Sequence, residues 1–205
     1  MTRREHKKQQ TRQALMQSAL TLVGEDNNFN SISLREVAKN AGVVPTSFYR
    51  HFRDMEELGL HLLDELGLML RKLMRNTRMQ DDYIEALTRE SVRVYAGFVM
   101  EHRNYFYFMN QSRTGGTPAL REAVRTELRY FSNELATDIR RLPIFDQMNT
   151  DDLGIITELI VETVFAGTID LLDRTKTDDK ATRTYVDNTI KKLRVIWLGA
   201  GEWQS

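Results

Sequence analysis

The sequence predicts an all-α protein, with an N-terminal three-helix unit over residues 1–53 and a C-terminal helical bundle over residues 54–205. Three observations support this fold class. Apolar residues recur at spacings of three and four, as on the buried face of an amphipathic helix. Helix-capping pairs stand at the start of several such segments. Finally, no segment shows the apolar–polar alternation of a convincing strand.

The first helix is predicted over about residues 4–24, where an apolar stripe has helical spacing. The turn-rich segment GEDNNFNS ends it. Ser33 and Glu36 follow with the spacing of a capping box, in which each side chain binds the backbone N–H of the other residue. A second helix is therefore expected to begin after Ser33.

Glycine and proline mark the connection to a third, short helix. Gly42 ends the second helix, because glycine adopts the left-handed conformation that other residues resist. Pro45 suits the first position of the next helix, since its missing N–H would be unpaired there in any case. Asp54 with Glu57 is a second capping box, which predicts a long helix over residues 55–78.

Helical patterns continue through the C-terminal half. A helix is predicted over residues 82–100, followed by an aromatic run at 105–108 and a loop at SRTGGTP (112–118). An amphipathic helix is predicted up to Pro143, and then a largely apolar helix that Asp151 or Asp152 caps and that reaches Ile169. The last predicted helix carries Val186, Ile190, Leu193 and Trp197. We find no internal repeat.

The charge distribution is asymmetric although the total is neutral, with 29 basic and 29 acidic residues. Residues 1–53 contain nine basic and four acidic residues, a net charge of +5, which leaves 20 basic and 25 acidic residues, or −5, for the remainder. A basic N-terminal domain is typical of a protein that binds nucleic acid, because phosphate attraction is local. By itself, the same asymmetry is equally expected of a solvated helix face.

Composition excludes several classes of function. The chain contains no cysteine, so disulfides and thiolate metal sites are excluded. No signal-peptide core and no uncharged run of the ~20 residues that span a bilayer occurs, so we expect a cytoplasmic protein without a membrane segment. Common catalytic motifs of metalloproteases, hydrolases and nucleotide-binding enzymes are absent as well. We expect neither enzymatic activity nor a cofactor.

The segment AGVVPTSFYRHF combines an apolar edge with a polar one. Phe48 and Phe52, one turn apart, are expected to anchor the short helix, which leaves hydroxyl groups and cations to face phosphates and base edges of a DNA major groove. The candidate DNA-contacting residues are Ser33, Arg35, Pro45, Thr46, Ser47, Tyr49, Arg50, His51 and Arg53. From the residues alone, a polar surface helix in an ordinary bundle, or a helical adaptor that binds only protein, remains an alternative.

The stretch SISLREVAKNAGVVPTSFYRHFRDMEEL, together with Thr11-Arg12, resembles the DNA-binding domain of the TetR family of bacterial repressors. The resemblance covers about residues 8–60. It implies a homodimer that binds palindromic operator DNA. Many members have a phosphate-contacting lysine where this chain has Met55, so the charge at that point is expected from Arg53 instead.

A narrower resemblance extends over residues 34–75 and 112–124. These stretches are similar to TetR-type repressors of unsaturated fatty-acid synthesis. The resemblance implies a long-chain acyl-CoA as effector and operators near genes of fatty-acid synthesis or desaturation. The alternative is a TetR-type repressor of another pathway, such as efflux or catabolism, which senses a different apolar ligand.

The C-terminal bundle is expected to bind the effector and to dimerise. Candidate ligand-lining residues are Met69, Phe98, Met100, Tyr105, Phe108, Met109 and Phe165, with Arg113 for a phosphate-bearing head group. Stripes of aromatic residues and methionines are also what an ordinary core contains, and a loop arginine is commonly just solvated. The last two helices carry more apolar surface than one bundle face requires, which favours a homodimer over packing within the monomer.

Overall fold

The structure, a computed structural model, describes residues 2–25, 27–78, 83–174 and 179–203. Within these ranges, ten α-helices and one 3-10 turn make up the regular structure, without a strand. The helices are α1 (Arg3–Leu22), α2 (Leu34–Asn40), α3 (Pro45–Phe48), α4 (Met55–Arg78), α5 (Ile84–Glu101), α6 (Arg103–Gly115), α7 (Pro118–Ile139), α8 (Thr150–Ala166), α9 (Thr168–Arg174) and α10 (Asp179–Gly201); the 3-10 turn is Phe29–Ser31. The all-α prediction is confirmed.

The chain forms two compact units. The first combines Met1–Leu66 with Asn104–Arg125, and the second combines Gly67–Arg103 with Thr126–Ser205. The first unit therefore contains α1 to α3 and most of α6, together with the first parts of α4 and α7. The division into domains at residues 53 and 54 stays a prediction.

The first unit has a core of leucine and phenylalanine side chains. Its fully buried side chains include Leu15, Phe48, Phe52, Leu58, Leu62, Phe106, Phe108 and Leu120. Within this unit, Ser18 Oγ on α1 donates to the backbone oxygen of Val37 on α2 at 2.8 Å, so the first two helices are joined by a buried hydrogen bond as well as by packing.

Amide side chains attach α6 to the connection between α1 and α2. Gln111 Nε2 donates to the backbone oxygen of Gly24 at 2.9 Å, and Gln111 Oε1 accepts from the backbone N–H of Phe29 at 3.0 Å. Asn30 Nδ2 donates to the backbone oxygen of Gly115 at 2.7 Å. Polar backbone groups of an irregular segment thereby gain partners that the segment cannot supply itself.

The second unit pairs its buried polar groups across helices. Tyr95 OH on α5 lies 2.7 Å from Thr168 Oγ1 on α9, and burial raises the pKa of Tyr95 well above its usual value. Trp197 Nε1 on α10 donates to Thr88 Oγ1 on α5 at 2.8 Å. Because these buried polar groups are hydrogen-bonded, they avoid the desolvation penalty of unpaired groups and favour this one packing of the helices.

Three details of the predicted elements were wrong. The segment SRTGGTP is not a loop: α6 continues to Gly115, and only residues 116 and 117 separate it from α7. The N-cap of α8 is Asn149, whose Oδ1 accepts from the backbone N–H of Asp152 at 2.9 Å, rather than either aspartate. The apolar helix ends at Ala166 instead of reaching Ile169. The predicted helix start at residue 82 lies outside the described residues.

Candidate nucleic-acid interface

The second helix begins as its capping signal predicts. Ser33 Oγ accepts from the backbone N–H of Glu36 at 3.3 Å, and Glu36 Oε2 accepts from the backbone N–H of Ser33 at 2.8 Å. Hydrogen bonds that the Ser33 backbone N–H and Ser33 Oγ donate to the Glu36 carboxylate lower the pKa of Glu36 from its usual value, so the carboxylate stays ionised at the N-terminus of α2. Its negative charge is favourable there because of the helix dipole.

The turn after α2 depends on Gly42. Its φ of 69° lies in the left-handed region that favours glycine. Gly42 N–H donates to the backbone oxygen of Lys39 at 3.1 Å, and Val43 N–H donates to that of Ala38 at 2.9 Å. This pair of bonds is a Schellman motif, which ends α2 and redirects the chain into α3.

Two phenylalanines anchor α3 to the core of the first unit. Phe48 is 0% and Phe52 is 1% exposed, and their ring centroids lie 5.7 Å apart. The guanidinium of Arg12 on α1 lies 4.4 Å above the Phe52 ring, and its Nη1 donates to the backbone oxygen of His51 at 2.9 Å. The end of α3 is thus fixed by packing, a cation–π contact and a charged hydrogen bond.

The outer face of this helix-turn-helix carries the candidate DNA-contacting residues. Exposed ones are Ser33, Arg35, Pro45, Thr46, Tyr49, Arg50 and Arg53, and half-buried ones are Ser47 and His51. Tyr49 is 61% exposed although it directly follows the fully buried Phe48. The structure therefore leaves seven of the nine exposed and two half-buried, while their contact with DNA stays a prediction.

His51 lies at the inner edge of this face. Its Nδ1 is buried and has no hydrogen-bond partner among the described residues. Burial lowers the pKa of His51 from its usual value, and the nearby charges of Lys8, Arg12 and Arg50 lower it further. The imidazole is accordingly neutral at pH 7.

Arg53 has an acidic neighbour. Its Nε donates to Asp54 Oδ2 at 2.8 Å, and the two side chains are 74% and 46% exposed. This hydrogen bond lowers the pKa of Asp54 and raises that of Arg53. Asp54 also accepts from the backbone N–H of Glu57 at 2.8 Å, whereas the Glu57 carboxylate accepts from Arg53 N–H rather than from Asp54, so the second capping box is only half formed.

Val44 was missed by the sequence-based list of DNA contacts. It is the N-cap residue of α3, and its side chain is 65% exposed. The available signal was a β-branched apolar residue next to Pro45 in a segment that is otherwise polar on its outer side.

The candidate effector residues divide between the units. Tyr105, Phe108, Met109 and Arg113 belong to the first unit, and Met69, Phe98, Met100 and Phe165 belong to the second. All except Met69, Met100 and Arg113 are buried.

Several of these side chains have identified neighbours within their own unit. The ring centroids of Phe108 and Phe29 lie 4.6 Å apart. Burial and the nearby Glu65 carboxylate raise the pKa of Tyr105 above its usual value. Their role in binding a ligand stays a prediction.

The second unit presents a separate apolar surface on α8 and α10. Ile155 and Leu159, one turn apart on α8, are 53% and 48% exposed, while Val195 and Leu198 on α10 are 70% and 64% exposed. Helices α8 and α10 pack against each other, so all four exposed side chains belong to one pair of packed helices. An exposed apolar surface of this kind is typical of a protein–protein interface.

Other kinds of site find no support in the described part of the chain. No group of three or more potential metal ligands occurs there. None of the helices within the described ranges has the length and hydropathy needed to cross a bilayer.

Two family models match the chain. Residues 18–62 match the model described as "Bacterial regulatory proteins, tetR family", and residues 84–192 match the model described as "Tetracyclin repressor-like, C-terminal domain". The first match includes α2, the Gly42 turn and α3. The second covers more than half of the 205 residues.

Solved structures of transcriptional regulators are similar to this chain in fold. The fatty acid degradation regulator FadR from Bacillus halodurans has a TM-score of 0.73 at 13% identity, with 90% of this chain and 96% of that chain covered. FadR from Bacillus subtilis in complex with stearoyl-CoA has a TM-score of 0.71 at 14% identity, with 87% and 97% covered. A SmeT–triclosan complex has a TM-score of 0.67 at 17% identity, with 89% and 90% covered.

Proposed function

We propose that this chain, which belongs to the TetR family of bacterial transcriptional regulators, is a cytoplasmic repressor that binds palindromic operator DNA as a homodimer and responds to a long-chain acyl-CoA. Its target genes are those of unsaturated fatty-acid synthesis or desaturation. The observation that carries the DNA-binding part is the outer face of α3, whose hydroxyl and cationic side chains are exposed while Phe48 and Phe52 are fully buried.

The residues around α3 have the chemistry that duplex DNA requires. Arg35, Arg50 and Arg53 are exposed cations on α2 and directly after α3, which suits phosphate contacts. Thr46 and Tyr49 are exposed as well, and their hydroxyl groups suit base edges in the major groove. Phe48 and Phe52 are buried while these side chains are exposed, so the anchoring residues and the proposed DNA contacts are different side chains.

The exposed apolar residues of α8 and α10 support a homodimer. Two helices from each subunit would form a four-helix interface about a two-fold axis, burying the side chains that are exposed in the single chain. Two DNA-binding units related by that axis would recognise two half-sites about one helical turn apart. Palindromic operators follow directly from this symmetry.

The nature of the effector rests on resemblance and on similar structures. Sequence similarity to repressors of unsaturated fatty-acid synthesis and structural similarity to a FadR with bound stearoyl-CoA support an acyl-CoA. The structural similarity to SmeT with bound triclosan supports the second candidate, a regulator of another pathway that senses a different apolar ligand. The two candidates differ in the ligand and share the DNA-binding function.

Helix α4 is the element through which we expect the effector to act. Residues 55–66 belong to the first unit and residues 67–78 to the second, so one continuous helix contributes to both. A ligand that favours one packing of the second unit would bias the position of this helix, by no more than its difference in affinity for the two states.

Electrophoretic mobility shifts test the proposal. The probes are duplexes from the region upstream of the chain's own gene and from nearby lipid-synthesis promoters, incubated with palmitoyl-CoA, oleoyl-CoA or triclosan. Binding should weaken steeply with salt, because phosphate contacts release counterions. Arg50→Ala should weaken binding and reduce the salt slope by about one per half-site, whereas Arg93→Ala, at an exposed arginine of α5, should leave both unchanged.

The outcomes separate the two parts of the proposal. A sequence-specific shift that either acyl-CoA alters, and triclosan does not, supports the full proposal. A shift that responds to triclosan but to neither thioester supports the second candidate. Absence of any salt-sensitive shift would refute the DNA-binding function itself.

A further inference from the structure

The start of α3 is apolar where DNA would approach most closely. Val44 is 65% exposed, and the two residues after it, Pro45 and Thr46, are also exposed. The accessible surface of these three residues consists largely of methyl and methylene groups. A β-branched residue at this degree of exposure is accessible to an approaching duplex.

The usual base-reading side chains do not occur within this helix. Residues 43–48 contain no Arg, Lys, Asn, Gln, Asp or Glu. Bidentate recognition of guanine needs Arg or Lys, recognition of adenine needs Asn or Gln, and recognition of cytosine uses Asp or Glu. The base feature that remains for an apolar side chain in the major groove is the 5-methyl group of thymine.

The flanking residues indicate that the occupant of this apolar surface is DNA. Arg35 and Lys39 on α2 and Arg50 and Arg53 after α3 are all exposed, so exposed cations border the apolar residues on both sides in the sequence. An apolar patch for another protein's core would not need that border, whereas a helix in the major groove has phosphates on both sides.

Backbone geometry holds Val44 in place before any contact forms. Its φ of −73° and ψ of 146° are extended values, which the following proline also favours. Its backbone oxygen accepts from the N–H of Ser47 at 2.8 Å, and a β-branched side chain has few rotamers. Little conformational entropy is lost when such a side chain binds.

We propose that Val44, together with the methyl group of Thr46, reads thymine 5-methyl groups, so that each operator half-site contains a thymine whose methyl contributes directly to specificity. This inference rests on the proposed function, because it assigns base recognition within the same DNA-binding face. It identifies Val44 as a specificity-determining residue.

The test begins with selection from random-sequence duplexes by the full-length wild-type chain. Each thymine of the enriched sequence is then replaced singly by deoxyuridine, which removes only the 5-methyl group, and dissociation constants are measured by fluorescence anisotropy at fixed salt. At one thymine per half-site, the wild type should bind about fourfold more weakly, the effect of ~0.8 kcal/mol for one buried methyl-sized group. For Val44→Ala, the same replacement should change affinity by less than about twofold.

Controls make each result decisive. Thr114→Ala, at an exposed residue of α6 in the same unit, should retain the full sensitivity to deoxyuridine. Val44→Ala changes an exposed side chain, so its thermal midpoint should match the wild type. The inference is overturned if no thymine methyl affects wild-type binding, or if the effect persists in Val44→Ala. If no duplex is enriched at all, the proposed function falls together with this inference.

Discussion

Gly67 in α4 should resist substitution by alanine, although it lies in the interior of a helix. A Cβ at this position would overlap Glu127 Oε2 and lie 2.9 Å from Arg71 Nη1. Both partners belong to the same unit, and Arg71 Nη1 donates to Glu127 Oε2 in an ion pair whose side chains are only 12% and 9% exposed. The missing side chain of Gly67 is thus what lets the Glu127 carboxylate reach α4.

Two effects of opposite sign set the magnitude. Alanine is favoured over glycine within a helix by about 1 kcal/mol. The added Cβ displaces the Glu127 carboxylate from Arg71, and breaking a buried ion pair outright costs about 3–5 kcal/mol. Arg71 retains Glu134 Oε1 at 3.7 Å from its Nε, which places the cost at the lower end, about 3 kcal/mol. The net loss expected for Gly67→Ala is therefore about 2 kcal/mol.

Thermal unfolding followed by circular dichroism measures this difference, at one protein concentration for all variants. For a chain of this size, a loss of 2 kcal/mol lowers the midpoint by about 4–8 °C. The matched control is Gly97→Ala in α5 of the same unit, where an added Cβ has nothing within 4 Å. That variant should gain about 1 kcal/mol and unfold about 2–4 °C higher than the wild type.

A second variant distinguishes the ion pair from general crowding. Glu127→Ala removes the carboxylate that the new Cβ would displace, so adding Gly67→Ala to it should cost nothing further and should gain about 1 kcal/mol from the helix preference of alanine. The reasoning is refuted if Gly67→Ala is as stable as Gly97→Ala, or if the two substitutions at residues 67 and 127 lower the midpoint additively.

Three further predictions concern the first unit and the surface of the second. Because the pKa of His51 is lowered on folding, the unfolded chain binds more protons below pH 6.5, so stability should fall between pH 7.5 and 5.5. His51→Gln should reduce that fall, and an identical pH profile would contradict the assignment. Ser33→Ala removes the cap that Glu36 N–H uses and should cost about 1 kcal/mol in urea unfolding; an unchanged midpoint would count against the cap. Leu159→Glu with Leu198→Glu should convert a dimer to a monomer in sedimentation equilibrium, and a retained dimer mass would exclude this surface.

The elements that the sequence predicted correctly depend on residues close together in the chain. Ser33 and Glu36 are three positions apart, and Gly42 closes its turn through hydrogen bonds that span only a few residues. Pro45 begins α3 because its missing N–H would have no hydrogen-bond partner in the first turn of the helix. Local rules suffice for such features, since the partner groups are always within reach.

The elements that were predicted wrongly depend on distant partners. Thr114 and Gly115 read as a loop, yet α6 includes both, and Asn30, far away in the sequence, binds the Gly115 carbonyl. The break after Ala166 likewise has a tertiary partner, because a Cβ on Gly167 would lie 2.7 Å from the Tyr185 ring. No local pattern specifies these contacts.

The candidate DNA interface was more predictable than the effector site because its partner has fixed chemistry. Phosphates require cations and hydroxyl groups, so Arg50 and Tyr49 are recognisable in any sequence that places them beside a short helix. An acyl chain requires only apolar surface, which Phe98 and Phe108 provide equally well when they merely fill a core. Ligand and core are chemically alike, so sequence patterns do not separate them.

The division of α3 into an anchored side and an exposed side has a consequence for how such a protein acquires new operators. Phe48 and Phe52 account for the attachment of the helix, and neither reaches the surface. Val44 and Thr46 are exposed, so their replacement leaves that packing intact, whereas the exposed Tyr49 also lies edge-on to the Phe48 ring at 6.0 Å between centroids. Surface substitutions of this kind usually change stability by less than about 0.5 kcal/mol, while a changed base contact alters discrimination by about 1–3 kcal/mol. Under the proposed function, operator specificity can therefore change through Val44 and Thr46 independently of folding.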